Sequence, residues 1–542
     1  MSILRVSGGE SSRSGSARVL LISLYGGLLA LALLARVIWL DSLPGVNGDE
    51  AWFGLWVEGL LRDHAWGGSY VTGRPPDPFL LAPLAIVQAM ADPAPWVLRA
   101  PPLISGLAFI IVGYAGLRCT IGQRPALIFA LLAATTPIMI IYSRFGWDPS
   151  QTPLADMIFL WACLAGRRIA AVLSLCAAIL IHATNIFLAP ILVVFWFEDI
   201  RPFIEKITGR IEFRSFFSVM LIGALLAAIP ISLWVGRAPL RGLFGGGYWH
   251  LQHLVIRTSV LIGDQFSGIG AYRARVGDPI GLVLHRVIIS SVLIGLSVAL
   301  FLGARGTQDP RITKLSAGVI ASVIPFVIIA GGDGFRPSLE RYALWMITPV
   351  LVLLSAVLAR PLNRVSTAGL WIAPFLGALA LISVWLNYFE PLRASGGGLS
   401  TTTIEGRAAR TAAIEPKKQV AEWVMRCVDQ HDTVTLWAES YWLAEPLHYF
   451  LFYEPKISVK ILRSFEWLPE SMHTYDLSEI PDSDAIVVVF DDSDLDRKLR
   501  SAGASPKYTI VDAAGRPLIQ IYIKGLSARA IDGGGGAACW HA

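Results

Sequence analysis

The sequence predicts a polytopic α-helical membrane protein with a soluble C-terminal α/β domain. Three observations predict it. Hydrophobic residues fill 54% of the 542 positions and charged residues only 16%, where soluble chains carry about 25% charged. Mean hydropathy is +0.58. The charge is also divided: 29 basic and 19 acidic residues up to Phe389, then 16 basic and 21 acidic from Glu390 onward. This composition excludes a disordered chain, a collagen-like chain and an ordinary cytosolic enzyme. No basic stripe stands out, so nucleic acid is not an expected partner.

In chain order, residues 1–18 form a polar, Arg-containing segment. A helix needs about 20 apolar residues to cross the hydrocarbon core, and the run 19–40 is the first. It is too long for a signal-peptide core and has no small-residue cleavage site. Further runs at 100–117, 125–142, 153–166, 169–182, 186–197, 215–236, 281–303, 315–331, 342–359 and 367–388 give about eleven spans within a membrane domain of 19–390. Basic residues in the short loops set the orientation. With the N-terminus cytoplasmic, the inner segments hold 16 basic and six acidic residues, and the outer ones 13 of each. An odd number of spans then puts the C-terminal part outside. In a bacterium this is an inner-membrane protein with a periplasmic tail. Two outer loops are long, 41–99 and 237–281, and loops of that length are usually functional. Stretch 50–61, EAWFGLWVEGLL, is suited to lying at the membrane surface.

A Gly/Ser/Thr-rich linker, 391–403, leads into a domain at 404–527. Helices are expected at 416–430, 442–453 and 495–502. Strands are expected at 433–438, 457–461 and 485–490, the last a β-branched run typical of a buried strand, and a hairpin joins 508–512 to 518–524. No phosphate-cradling glycine loop and no nucleophile elbow occur there, so acceptor binding or structural support is its expected role. The tail 528–542 is expected to be disordered. Cys427 and Cys539 either pair outside the cell or remain two free thiols. The absence of a Cys-x-x-Cys spacing removes the usual zinc and redox motifs.

The strongest chemical cluster follows the first span: Pro44-Gly45-Val46-Asn47-Gly48-Asp49-Glu50-Ala51-Trp52. A turn presents two adjacent carboxylates where a helix begins. Asp49 fits an N-cap or the first helical turn. A helix cap alone is the plain reading. At the outer face, however, a carboxylate can also serve as general base on a hydroxyl.

A span followed by Asp-Glu at the head of a long outer loop resembles the GT-C type membrane glycosyltransferases. The likeness is to the dolichyl-phosphate-mannose–protein mannosyltransferase superfamily and the bacterial aminoarabinose and galacturonic-acid transferases. Other elements follow in order. Gly73-Arg74-Pro75-Pro76 resembles a basic-Pro-Pro element, and Leu98-Arg99-Ala100-Pro101 resembles the start of the second span. Tyr142-Ser143-Arg144-Phe145-Gly146-Trp147-Asp148-Pro149-Ser150 resembles the second outer loop, and Glu340-Arg341-Tyr342 the opening of a late span. The resemblance covers about 15–390. It implies a GT-C fold and inverting transfer of a sugar from a polyprenyl-phosphate donor to lipid A or lipopolysaccharide, a protein or a wall glycan. It implies Asp49 as the base or acceptor-orienting group, Glu50 as its support and Asp148 across the cleft.

A departing lipid phosphate needs its charge stabilised, which Arg forks do well. Arg74, Arg144, Arg336 and Arg341 are all expected at the outer face, with Arg144 and Arg341 the first choices. The competing reading is contact with lipid headgroups. Arg36 is expected to pair with a carboxylate or to snorkel. A divalent metal is left open. His250 and His253 have an i,i+3 spacing that permits ligation, or they form an interfacial surface, and His182 reads as a satisfied polar group. A transporter or flippase is the main competing function. It is disfavoured by spans with almost no central charge and by the lack of an internal repeat. A non-catalytic scaffold ranks last.

Overall fold

The computed structural model describes residues 13–63, 77–197, 309–330, 340–359, 368–395, 414–427, 433–462, 480, 485–511 and 515–524. The first half is helical: α1 (Arg13–Val37), α2 (Gly48–Asp63), α3 (Pro78–Gln88), α4 (Pro95–Thr120), α5 (Gln123–Thr135), α6 (Pro137–Tyr142), α7 (Thr152–Leu164) and α8 (Arg168–Ile181). Short 3-10 turns lie at Asp148–Gln151, Ala183–Leu188 and Glu340–Met346, and longer helices at Pro310–Ala330, Ile347–Leu358 and Ala368–Val384.

Among the described residues, four stretches are long and apolar enough to cross a membrane: Val19–Val37, Pro95–Thr120, Arg341–Leu358 and Leu370–Phe389. They coincide with four of the expected runs. Run 125–142 is broken instead into α5 and α6. Thr136 is extended (φ −60°, ψ 123°) because the ring of Pro137 disfavours a helical conformation in the residue before it. Runs 153–166 and 169–182 fold as α7 and α8. The expected spans 215–236 and 281–303, and the outer loop 237–281, lie outside the described residues.

Much of stretch 50–61 is covered by other elements of the protein. Ala51, Phe53, Trp56, Val57 and Glu58 of α2 are all buried. The helix is enclosed by α3, α4 and the C-terminal helix Tyr441–Phe450. The stretch carries only two carboxylates among its twelve residues, and its large apolar side chains gain by being covered. One buried charge lies near the start of the span expected at 153–166. Asp156 of α7 is fully buried, and among the described residues neither of its carboxylate oxygens meets a donor.

The C-terminal part forms the expected elements: helices Ile414–Cys427, Tyr441–Phe450 and Asp494–Ser501, and strands β1 (Val434–Ala438), β2 (Ile457–Ile461), β3 (Ala485–Phe490), β4 (Tyr508–Val511) and β5 (Pro517–Lys524). They build one sheet in the order β2-β1-β3-β5-β4. β1 pairs in parallel with both β2 and β3, and β5 runs antiparallel to β3 and β4. Every residue of β3 is buried, as its β-branched composition requires of a central strand covered on both faces. This part does not stand apart from the helices. Tyr449 is buried in the main helical core, and its hydroxyl donates to the carbonyl of Ala94 at 3.3 Å.

Candidate active site

The site is built on the end of α1. A helix end leaves carbonyls that need donors, and the turn after α1 bends through Trp39 in the left-handed region (φ 51°). Two buried arginines collect these carbonyls. Arg144 donates to Ala35 (3.0 Å), Trp39 (3.2 Å) and Leu43 (2.7 Å), and its guanidinium lies 4.9 Å from the centre of the Phe389 ring. Arg99 donates to Leu40 (2.7 Å) and Pro44 (2.8 Å). Planar guanidinium forks suit this work, because one side chain reaches several oxygens. Arg36 holds the end of α5 in the same manner, donating to Ala133 and Ala134. Among the described residues it pairs with no carboxylate, and it is buried rather than snorkelling.

The next residues start α2. Asn47 is its N-cap: Oδ1 accepts from the Glu50 amide at 2.9 Å, and Glu50 Oε2 accepts from the Asn47 amide at 3.3 Å. This is a reciprocal capping box, and it places Asp49 in the first helical turn. Glu50 is fully buried. Its carboxylate faces Arg99 at 3.3 Å through both oxygens and accepts from the Gly146 amide at 2.6 Å. Glu50 is thus spent on holding three segments together.

Asp49 stands differently. It keeps 9% exposure and accepts a hydrogen bond from the Tyr441 hydroxyl at 3.3 Å. Tyr441 belongs to the C-terminal part, and its ring sits where a Gly48 Cβ would be, so only glycine allows that approach. Glu445 lies one turn further along the same helix. Burial, with the Asp49 charge adding to it, pushes its carboxyl up to about 7. Lys417 enters from helix Ile414–Cys427, is buried and donates to the carbonyl of Val46. Burial pushes its ammonium down to about 7. The Glu50 charge opposes that shift and the Arg99 charge adds to it.

Gly146 links this half to a second. A Cβ there would meet the Leu98 carbonyl oxygen at 2.7 Å and Glu50 Oε1 at 3.3 Å, so a glycine is needed for the loop to lie against Glu50. Trp147 and half-buried Asp148 follow directly. The Arg341 guanidinium lies 4.5 Å from the Trp147 ring centre and donates to the Tyr342 hydroxyl at 3.1 Å. The His182 ring is 5.7 Å from that of Tyr342, and its Nδ1 is 2.7 Å from Thr184 Oγ1. Glu50, Gly146, Trp147 and Arg341 are therefore linked by contacts and the backbone, and Asp49 and Asp148 adjoin that link in the chain. Arg144 underlies it, with its guanidinium on the α1 carbonyls. Arg74, Arg336, His250 and His253 lie outside the described residues. Among the described residues, no group of three His, Cys, Asp or Glu side chains could hold a metal.

Solved structures similar to this chain include ArnT from Cupriavidus metallidurans. Its apo form aligns over 94% of this chain and 98% of that one, with 14% identity and a TM-score of 0.49. The form bound to undecaprenyl phosphate aligns over 91% and 97%, also at 14% identity and 0.49. The archaeal oligosaccharyltransferase AglB from Archaeoglobus fulgidus, in complex with an inhibitory peptide and a dolichol-phosphate, aligns over 80% of this chain and 64% of that one, at 13% identity and 0.45. These are GT-C type glycosyltransferases, the class that the motif order resembles. No family model matches the chain, and no curated protein does. Likeness at this level leaves the chemistry to be read from the side chains.

Sequence reasoning placed Arg99 in a motif without giving it a task. It missed Lys417, Tyr441 and Glu445 altogether. Tyr441 and Glu445 share a helix face at i,i+4 spacing, which was visible, but nothing in the sequence said what that face meets.

Proposed function

We propose that the protein is a membrane glycosyltransferase that moves a sugar from a polyprenyl-phosphate carrier to an acceptor hydroxyl at the outer face of a bacterial inner membrane. The observation that carries this reading is the division of labour between two adjacent carboxylates. Glu50 is neutralised by Arg99 and the Gly146 amide, while Asp49, oriented by a tyrosine hydroxyl, is buried less completely than Glu50. Asp49 takes the acceptor proton as the new glycosidic bond forms. Arg341, stacked on Trp147 beside Asp148, faces the phosphate whose charge grows as the sugar leaves. Lipid A or lipopolysaccharide, proteins and wall glycans are the acceptor classes to test. Purified protein in detergent, incubated with labelled polyprenyl-phosphate sugars and such acceptors, is expected to form product. Asp49→Asn is expected to cut the rate by about 10²–10⁴-fold, the usual worth of a positioned general base, without lowering Tm. A fully active Asp49→Asn variant overturns the assignment.

Asp156 keeps the transporter reading in play, since a buried carboxylate within a helical bundle often marks a path for ions or substrate. Substrate flux into sealed vesicles, without covalent transfer, would favour that reading.

A further inference from the structure

The far end of α2 opens on a second cleft. Its volume is about 490 Å³, inside the range of roughly 300–1,000 Å³ common for ligand sites. Glu58, Arg62, Gln88, Asp92 and Tyr453 line it, with Met90 at the rim. It joins α2, the end of α3 and the turn after helix Tyr441–Phe450. Glu58 is nine residues beyond Asp49, about 14 Å along the helix.

The hydrogen bonding inside is lopsided. Buried Glu58 accepts from Gln88 Nε2 at 3.2 Å and from the Tyr453 hydroxyl at 3.4 Å, and pairs with Arg62 at 3.5 Å. Gln88 Nε2 also donates to the Gly54 carbonyl at 3.1 Å. Gln88 is 5% exposed, yet its Oε1 accepts nothing from the described residues. A buried amide oxygen without a donor is unfavourable, and a ligand hydroxyl would satisfy it. The one cation among the described lining residues, Arg62, is already matched by Glu58 and lies 4.1 Å from the centre of the Tyr453 ring. Burial holds the Glu58 carboxyl above its ordinary range, and the Asp92 charge acts on it in the same direction. The described lining therefore holds one exposed carboxylate, Asp92, one buried and already hydrogen-bonded carboxylate, Glu58, one amide oxygen that accepts nothing from the described residues, and one matched cation.

That inventory selects a ligand. Among the described residues, a phosphate meets two carboxylates and no spare cation. An acyl chain meets apolar wall only in patches, at Leu61, Ala89, Met90 and Ala91, broken by three charged side chains. A sugar brings neighbouring hydroxyls that donate in pairs to carboxylate and amide oxygens without bringing charge. We propose that this cleft is a saccharide-binding subsite, in which Glu58, Asp92 and the Gln88 amide oxygen accept the hydroxyls of a glycan and Tyr453 closes over them. Its role in holding the non-reacting part of an acceptor glycan rests on the transferase reading; saccharide binding itself does not. Remote binding of that kind positions the reacting hydroxyl at the other end.

The test is saturation-transfer NMR on the full-length protein in detergent. The probes are glucose, galactose, mannose, N-acetylglucosamine and their short oligomers, with spermidine and inorganic phosphate as controls. Asp92 and Tyr453 are exposed, so Asp92→Asn and Tyr453→Phe are expected to fold normally, as a melting curve verifies. At least one saccharide is expected to give signals that fall about fivefold or more in both variants and persist in Asp49→Asn. Three results overturn the proposal: no saccharide signal, saccharide signals equal in wild type and both variants, or signals from spermidine or phosphate alone. The two readings fail separately, because saccharide signals need no transfer and the Asp49→Asn rate needs no cleft.

Discussion

At the scale of single residues, the adjacent carboxylates show how little sequence distance says about environment. Asp49 and Glu50 share a turn, but Glu50 is sealed against Arg99 while Asp49 meets a tyrosine from 392 positions away. Removing one partner of a buried ion pair strands the other, at a cost of about 3–5 kcal/mol. Glu50→Gln is therefore expected to lower Tm sharply. The double variant Glu50→Gln with Arg99→Met is expected to recover only part, because Arg99 also serves the Leu40 and Pro44 carbonyls. Thermal melts of the three proteins check this, and a Glu50→Gln protein as stable as wild type would falsify it. The importance of 44–52 was legible in the sequence, since turn residues, adjacent acids and the end of a span coincide there. Which acid does which job was not, because that depends on Arg99 and Gly146.

At the scale of elements, the loop at 143–148 is the joint. Arg144 grips the end of α1, Gly146 lies on Glu50, and Trp147 takes Arg341. Arg144→Lys replaces a fork that serves three carbonyls with a point charge, and a loss of at least ~2 kcal/mol in stability is expected by chemical denaturation. Gly146→Ala puts a Cβ against a backbone carbonyl that has little freedom to move. The transfer rate is expected to fall about tenfold or more, since the shift displaces Trp147 and Asp148 against Glu50. A Gly146→Ala enzyme with wild-type rate would separate the two halves of the site. The strands of the C-terminal part were legible almost to the residue, as β-branched runs between turn residues announce themselves. The packing of α2 against α3, α4 and the C-terminal helix was not legible, because those partners come from distant parts of the chain.

At the scale of the whole molecule, the C-terminal part is tied to the helices through two groups that titrate near neutrality, Lys417 and Glu445. Lys417 is lowered from 10.5 to about 7. Its burial costs stability in full below about 7, and the cost fades as pH rises toward 10.5. Glu445 is raised from 4.5 to about 7. Its cost is absent below 4.5, grows as pH rises and is complete above about 7. Together they predict a dip in Tm near neutral pH. Lys417→Met is expected to flatten the alkaline limb and Glu445→Gln the acid limb, as tryptophan-fluorescence melts across pH 4.5–10.5 would show. A curve that neither variant changes would remove both groups from this role. The connection itself was illegible in the sequence, where a Gly/Ser/Thr-rich linker suggested independence.

The two arginines at the end of α1 have a further consequence. By gathering carbonyls between residues 35 and 44, they tie Asp49 to a helix long and apolar enough to cross a membrane. The depth of the proposed base then follows the hydrophobic length of α1. In thicker bilayers α1 straightens and in thinner ones it tilts, carrying the carboxylate with it. Acyl-chain length becomes a control on the reaction, and nanodiscs of graded thickness are expected to show one optimum rather than a plateau.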